Sequence, residues 1–167
     1  MAKFGIDLHG VIDAYPEYFR DISRLMRKDG HEVHIITGSM DTSSLRDELS
    51  FYEISYDHLF SITDHHLEER TPVSFIDDKG NYWFKGETWD RTKADYCLKT
   101  KIDFHIDDSE DYGSYFQTPY CWFNTNKAQF MWAWGDSRGT FLKGNPEDSY
   151  SIILKALSLI KGDINER

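Results

Sequence analysis

The chain has 167 residues, of which 40% are hydrophobic and 16% aromatic, and it carries a formal net charge of −10. Length and composition together predict one globular domain over residues 1–167 and exclude a disordered chain. The acidic balance disfavours broad electrostatic binding to nucleic acid or to anionic membranes, although it still allows a local basic rim around a site.

The sequence shows no segment that would direct the chain into or across a membrane. No apolar run reaches the length that spans a bilayer, and the residues after Met1 do not form a secretory signal. Cys97 and Cys121 form no Cys-x-x-Cys pair and lie among apolar residues, which predicts buried, reduced thiols. We therefore expect a soluble cytoplasmic protein without a membrane partner.

The chain opens with the pattern of a βαβ unit. The apolar residues 4–6 predict a buried strand, and apolar side chains at helical spacing predict a helix over residues 14–29, which Gly30 ends. Residues 32–37 contain several β-branched side chains and predict the next strand. Such a unit normally closes right-handed onto a parallel sheet.

The middle of the chain adds a third strand and then changes its pattern. Residues 42–52 predict a helix, residues 59–62 a short strand, and residues 64–70 one or two helical turns. In residues 71–86 two alternating segments flank the turn residues 78–81, which predicts a small β-hairpin inserted before the next helix.

The last part of the chain returns to helices and strands. The predicted elements are a helix from residue 88 or 90 to residue 100, a strand at 102–106 and a strand at 120–123. Residues 125–144 mix aromatic residues with glycines, and their pattern favours no one element. Asn145 and Pro146 then begin a C-terminal helix, because they suit its cap and its first position.

Residues that could bind a phosphate group or a metal ion follow three of the predicted strands, and a further such residue lies on a predicted helix. They are Asp7, then Thr37, Gly38 and Ser39, then Asp107 and Asp108, with Lys93 on the helix. Ligands of an open α/β sheet collect beyond the carboxyl ends of its strands, and Gly10 permits a sharp turn there. An aspartate that meets hydroxyls, a lysine and an acidic pair predicts binding of phosphate and a divalent cation.

The acidic residues suit a phosphoryl-transfer site. Asp7 can attack phosphorus and form an aspartyl-phosphate, which replaces one difficult displacement with two easier ones. Because Asp7 is an anion, it needs a cation beside it, and Mg²⁺ prefers carboxylate and carbonyl oxygens. Asp7, Asp108 and the backbone carbonyl of His9 can supply such ligands, with Asp107 binding directly or through water.

The phosphoryl oxygens need donors and positive charge of their own. The Thr37 hydroxyl, the backbone N–H of Gly38 and the neighbouring Ser39 can donate to them. Lys93 can stabilise both the phosphate and the nucleophile as a point charge. Together with the acidic residues, these groups predict a phosphomonoester hydrolase.

The order of these motifs resembles the haloacid dehalogenase (HAD) superfamily. An apolar strand with Asp-x-x-Gly-Val comes first, then a strand with Thr-Gly-Ser, a helical lysine and a strand with Asp-Asp, over roughly residues 4–109. By this resemblance Asp7 matches the nucleophile, Thr37 the phosphate-binding hydroxyl and Lys93 the basic position. The pair Asp107-Asp108 matches the metal-binding acidic residues.

The resemblance implies a fold and an activity. The fold is α/β and Rossmann-like, with a mostly parallel five-stranded sheet in the order 5-4-1-2-3 between flanking helices. The activity is Mg²⁺-dependent phosphatase or nucleotidase chemistry. Only the hairpin at about residues 71–86 can overhang the site, so an open site is expected. A nucleotide, another phosphorylated small molecule or a nucleic-acid terminal phosphate is then the expected substrate.

Position 9 departs from the family pattern. HAD phosphatases usually carry a second aspartate there, which protonates the leaving oxygen and then activates water, whereas this chain has His9. Imidazole also transfers protons near neutrality, so His9 can replace that aspartate. The alternative is a catalytically impaired HAD-fold protein that binds a phosphorylated ligand or a protein partner.

The remaining histidines do not form a recognisable zinc motif. His58, His65 and His66 form one group in the sequence, and His31 and His34 form another. Neither group combines ligand spacing with a cysteine or carboxylate partner, so we expect surface or capping histidines.

Overall fold

The computed structural model describes residues 1–132, 140–141 and 145–165. Its strands are β1 (Lys3–Ile6), β2 (Glu32–Thr37), β3 (His58–Ser61), β4 (Phe75–Ile76), β5 (Tyr82–Trp83), β6 (Phe104–Asp107), β7 (Tyr120–Asn124), β8 (Gln129–Trp132) and β9 (Thr140–Phe141). Its helices are α1 (Pro16–Lys28), α2 (Ser43–Phe51), α3 (Ile62–Glu68), α4 (Gly86–Thr100) and α5 (Pro146–Asn165). Short helical turns follow β1, β6 and β7, at Leu8–Ile12, Asp111–Tyr115 and Thr125–Lys127.

The main sheet has the strand order β3-β2-β1-β6-β7-β8-β9. The first five of these strands run parallel, and β1 lies in their middle. This arrangement confirms the predicted five-stranded parallel sheet and its order, and the fold is α/β and compatible with a Rossmann-like architecture. Strands β8 and β9 extend the sheet in the antiparallel direction.

Two groups of buried apolar residues cover the sheet. In the larger group, Phe19 and Ile22 of α1 and Ile153 of α5 lie in one cluster with Phe4 and Ile6 of β1. Successive residues of a strand point to opposite faces of the sheet. A second, smaller cluster contains Ile36 of β2 with Cys97 and Ile102. Cys97 and Cys121 are both buried and free, which confirms the prediction of buried thiols.

The predicted hairpin is present as the antiparallel pair of β4 and β5. The Asp77 carboxylate organises its turn, because Oδ1 accepts hydrogen bonds from the backbone N–H groups of Lys79 and Asn81, both at 2.9 Å. Phe75 and Trp83 stack face to face with ring centroids 5.6 Å apart, and both remain about half exposed. The hairpin therefore presents an aromatic surface to solvent.

Some boundaries differ from the predicted ones because of the caps that end each element. Helix α4 begins at Gly86, earlier than predicted. Its N-cap residue is Lys85, which makes no side-chain cap hydrogen bond, so no capping pattern in the sequence marks this start. Ile62 belongs to α3 rather than to the third strand, because the Ser61 hydroxyl accepts from the Asp64 N–H at 3.0 Å and caps that helix. The fourth core strand begins at Phe104, two residues later than predicted.

Residues 125–144 lie partly outside the described ranges, at 133–139 and 142–144. The described part supplies the two antiparallel strands β8 and β9, which the sequence pattern did not separate. The C-terminal helix begins at Pro146 as predicted, and the Asn145 side chain accepts from the Glu147 N–H at 3.2 Å. Across the described ranges, no helix combines the length and the apolar character needed to cross a membrane.

Candidate active site

The carboxyl ends of neighbouring parallel strands bring the predicted site residues to one edge of the sheet. Asp7 follows β1 directly, Thr37 ends β2 and Asp107 ends β6. Strand β1 lies between the other two, so these three positions are neighbours across the sheet. Helix α4 runs beside this edge and contributes Lys93.

Lys93 joins two of the carboxylates in a buried cluster. Its Nζ lies 2.9 Å from Asp7 Oδ1 and 2.6 Å from Asp107 Oδ2. None of the three residues is more than 5% exposed. Burying one charge alone would be very costly, so each member of the cluster depends on the others.

Asp107 is fixed by partners on both of its oxygens. Oδ2 also lies 3.1 Å from His105 Nε2, and Oδ1 accepts from the Ser109 N–H at 3.0 Å. Gly5 gives the His105 ring its space, because a Cβ at position 5 would collide with that ring. His105 and Gly5 were not predicted as part of the site, although a histidine two residues before an aspartate on one strand points to the same face.

Asp108 completes the acidic group from the outer side. It is exposed, and a Cβ on Gly10 would overlap its carboxylate. Gly10 has φ +87°, a left-handed conformation that also favours glycine. One oxygen each from Asp7, Asp107 and Asp108 lie within 4.8 Å of one another. Three carboxylates around a single lysine carry a net charge of −2 when all are ionised, which suits a divalent cation with oxygen ligands.

Burial and neighbouring charges push the ionisation of these groups in different directions. Burial raises the pKa of Asp7 to about 7, against the opposing effect of Lys93. Burial also raises the pKa of Asp108, and the neighbouring Asp107 adds to this shift. Burial alone would raise the pKa of Asp107, but Lys93 holds it below its ordinary value. Burial alone would lower the pKa of Lys93, but Asp107 and Asp7 hold it above its ordinary value. Asp7 is thus the carboxylate of the buried pair that gains most from an added cation.

The loop after β2 holds its polar groups in place. Thr37 is fully buried, and its Oγ1 accepts from the Ser39 N–H at 3.2 Å. A hydroxyl that accepts in this way can still donate its own proton to a ligand. The Gly38 carbonyl accepts from Thr63 Oγ1 at 2.6 Å, which ties the loop to α3. Thr37, Gly38 and Ser39, three of the four predicted phosphate-binding residues, therefore lie together at the end of β2 and line the same cleft as Asp7.

His9 lies on the outer side of the cluster. Its Nδ1 is 3.3 Å from Ser39 Oγ, and its Nε2 is 3.7 Å from Glu48 Oε2. The His9 side chain is 47% exposed and Glu48 31% exposed, so the contact faces solvent. Glu48 was not predicted as part of the site, because no motif marks one acidic residue on α2. It lies three residues after the buried Leu45.

A cleft of about 940 Å³ connects these groups with the hairpin. Besides the predicted site residues it is lined by residues 79–84 of the hairpin, by Trp89 and by Tyr112. Trp89 Nε1 donates to the Tyr112 hydroxyl at 3.0 Å, and Lys93 Nζ lies 5.4 Å from the centroid of the Tyr112 ring. Trp89 and Tyr112 were not predicted as part of the site, although each lies four residues from a predicted site residue, Lys93 and Asp108 respectively.

Two histidines occupy places that contradict the prediction of surface or capping roles. His34 and His66 are both buried, with exposures of 3% and 4%. His66 Nε2 lies 2.8 Å from Thr92 Oγ1, so its burial is compensated by a hydrogen bond. The prediction was wrong because polar residues on a strand or helix can face inward when a partner is present.

No model of a known protein family matches the chain, and no curated protein is detectably similar to it. The resemblance to the HAD superfamily therefore rests on the order of the motifs, and membership stays a prediction. The geometry adds that Asp7, Thr37, Lys93, Asp107 and Asp108 lie around one cleft.

Proposed function

We propose that the protein is a Mg²⁺-dependent phosphomonoester hydrolase of the HAD type that works through an aspartyl-phosphate. One observation carries the proposal. A buried aspartate after the central strand, paired with a buried lysine and surrounded by two further carboxylates, opens onto a cleft large enough for a substrate. Structural ion pairs need no third carboxylate and no cleft.

Asp7 is the nucleophile. Lys93 holds its Oδ1, so Oδ2 is the oxygen that attacks phosphorus. A bond forms between Oδ2 and phosphorus while the bond from phosphorus to the ester oxygen breaks, and that oxygen leaves as the alcohol after it takes a proton. In the second step, water attacks the same phosphorus and releases inorganic phosphate and the Asp7 carboxylate.

His9 is the proton donor and acceptor. It protonates the ester oxygen in the first step and takes a proton from the attacking water in the second. Its contacts with Ser39 and Glu48 restrict the orientation of the imidazole ring.

Mg²⁺ is the cofactor, held by Asp7, Asp108 and the backbone carbonyl of His9. Bound there, it would neutralise charge on the phosphoryl group and on the nucleophile. The engagement of both Asp107 oxygens by Lys93, His105 and Ser109 supports Asp108 as the direct ligand. Asp107 then acts by holding Lys93.

Thr37, Gly38, Ser39 and Lys93 bind the phosphoryl oxygens. The rest of the substrate lies towards the hairpin, where Tyr82, Trp83 and Trp89 line the cleft. Aromatic side chains stack on nucleobases, which supports a nucleotide or a nucleic-acid terminal phosphate as the substrate class. The net charge of −10 favours the mononucleotide, because a longer polyanion would be repelled.

The experiment compares phosphate release from an aryl phosphate by wild type, Asp7→Asn and His9→Asp with and without Mg²⁺. The expected result is turnover that requires Mg²⁺ and is abolished in Asp7→Asn. Asp47→Asn, the same change on the exposed side of α2, is the matched control and should retain full turnover. A panel of nucleotides, sugar phosphates and oligonucleotides with terminal phosphates then identifies the substrate.

The alternative is an impaired HAD-fold protein that binds a phosphorylated ligand or a protein partner. The exposed His9 at the position of the usual aspartate is the observation that favours it. Losing a general acid/base typically costs about 10²–10⁴-fold in rate. An inert wild type together with an active His9→Asp would establish this alternative, whereas absence of both Mg²⁺ and phosphate binding in all variants would exclude both functions.

A further inference from the structure

A second cluster of metal-ligating side chains lies on β2 and β3, away from the carboxyl ends of the strands. Glu32 and His34 are two residues apart on β2, so their side chains point to the same face of the sheet. The parallel register places His58 of β3 directly beside His34. The register therefore brings one carboxylate and two imidazoles together.

The ligand atoms already have separations that suit a metal ion. Glu32 Oε2 lies 3.3 Å from His34 Nε2 and 3.8 Å from His58 Nε2. Two ligands of tetrahedral zinc lie about 3.3 Å apart when each bond is about 2.0–2.1 Å long. The three ligand atoms lie within 4.8 Å of one another, so small side-chain movements would close the site.

A neighbouring side chain orients the His34 ring. In known metal sites, a residue that does not itself bind the metal often orients a metal-bound histidine in the same way. His34 Nδ1 lies 2.9 Å from the Tyr96 hydroxyl of α4. A histidine that binds a metal through Nε2 carries its proton on Nδ1 and donates it to such a partner. Burial lowers the pKa of His34, which favours the neutral imidazole that a metal requires.

Lys3 occupies the position of a competitor. Its Nζ lies 2.9 Å from Glu32 Oε2, the same oxygen that faces both histidines. Without a metal, Lys3 compensates the Glu32 charge. An ion bound between the histidines would take over that compensation, so Lys3 would move away or turn to the other carboxylate oxygen.

We propose that Glu32, His34 and His58 form a second metal site, selective for Zn²⁺ over Mg²⁺. Two imidazoles and one carboxylate match the ligand sets of zinc, whereas Mg²⁺ prefers oxygen ligands. The ion ties the edge strand β3 to β2 and leaves its fourth position to water. This site is separate in sequence and position from the phosphatase site, and it does not depend on the proposed function.

The experiment measures Zn²⁺ binding by calorimetry and Co²⁺ binding by visible absorption, because Co²⁺ in a tetrahedral site gives a distinctive spectrum. The protein is wild type, His58→Ala or Asp108→Asn, at full length. His58 is the test position because its side chain is 56% exposed, so its removal leaves the fold intact. We expect His58→Ala to lose at least roughly 10-fold in Zn²⁺ affinity and the tetrahedral Co²⁺ spectrum.

Two comparisons can overturn this second site. An unchanged Zn²⁺ affinity in His58→Ala, or a loss in Asp108→Asn instead, would show that zinc binds at the carboxylates beside Asp7. Lys3→Met should raise the Zn²⁺ affinity several-fold, because the competing ammonium is gone. An affinity that does not rise in Lys3→Met would exclude Glu32 Oε2 as a ligand atom, and the site as proposed would fail.

Discussion

The two ends of the β-sheet hold similar charges in different surroundings. At the carboxyl end, Lys93 lies between Asp7 and Asp107, and all three residues are buried. At the amino end, Lys3 contacts Glu32 at 2.9 Å, while the two side chains remain 33% and 25% exposed. The same pairing of ammonium and carboxylate is therefore shielded at one end and solvated at the other.

This difference is the basis of the different ligands proposed for the two ends. When both are ionised, the two buried carboxylates outweigh the charge of their lysine, and they suit a hard divalent cation. At the amino end, the partly exposed lysine can leave, and the imidazoles beside it suit a softer ion. Both lysines are paired with carboxylates, so pairing alone does not distinguish them. We infer that a buried lysine stays in its site, whereas a partly exposed lysine can be displaced by a metal ion.

Replacement of Lys93 tests the buried end and should have the largest effect. We expect Lys93→Met to lower the free energy of unfolding by about 3–5 kcal/mol, because two buried carboxylates lose their cation. Turnover of an aryl phosphate should fall on the order of 10²–10³-fold, as it does when a donor to the developing charge is removed. Chemical denaturation and phosphate release measure the two effects.

Lys3→Met is the matched control at the other end of the sheet. A solvated ion pair contributes little to stability, so stability should change little and turnover should remain. Equal losses of stability in the two variants would contradict the distinction between a buried and a solvated lysine.

The carboxyl-end site could be predicted because its information is local. Asp7, Thr37 and the pair Asp107-Asp108 each follow an apolar strand, and parallel strands bring such ends together whatever the detailed register. To predict the place of Lys93, it was enough to know that a helix precedes the last of these strands. The order of the five parallel strands was predictable for the same reason, as part of a known pattern of motifs.

The amino-end cluster could not be predicted in this way. It depends on which residue of β3 stands beside His34, and a shift of one residue would turn His58 to the other face. The contact of His9 with Glu48 likewise depends on how α2 packs, and no motif records that. Strands β8 and β9 were missed because aromatic residues and glycines give no clear period.

The pKa of Asp7 predicts how the stability of the metal-free protein depends on pH. Between its ordinary value of 3.8 and about 7, folded Asp7 keeps a proton that the unfolded chain has released. The contribution of Asp7 to stability is therefore complete below that window and is lost as pH rises through it. We expect wild type to lose on the order of a few kcal/mol more than Asp7→Asn between pH 5 and 8, by denaturation in a chelator.

The Asp7→Asn variant is needed because burial lowers the pKa values of His34, His66 and His105, which adds a pH dependence that both proteins share. If Mg²⁺ binds the folded state through Asp7 as proposed, adding it at pH 8 should restore stability in wild type and should restore little in Asp7→Asn. Parallel pH profiles of the two proteins without metal would contradict the raised pKa of Asp7.

Two glycines with positive φ, one at each end of the sheet, give the smallest but most local comparison. Gly10 has φ +87° beside Asp108, and Gly30 has φ +77° with open space where a Cβ would be. Alanine at either position adds backbone strain of about 1 kcal/mol or more. Gly10→Ala must also displace the Asp108 carboxylate, so we expect a total near 3 kcal/mol and a weaker affinity for Mg²⁺ by calorimetry. Because Gly30→Ala carries the strain alone, the difference between the two variants isolates the contact with Asp108. If both variants bind Mg²⁺ like wild type, Asp108 is not a ligand, and Asp107 must take that role.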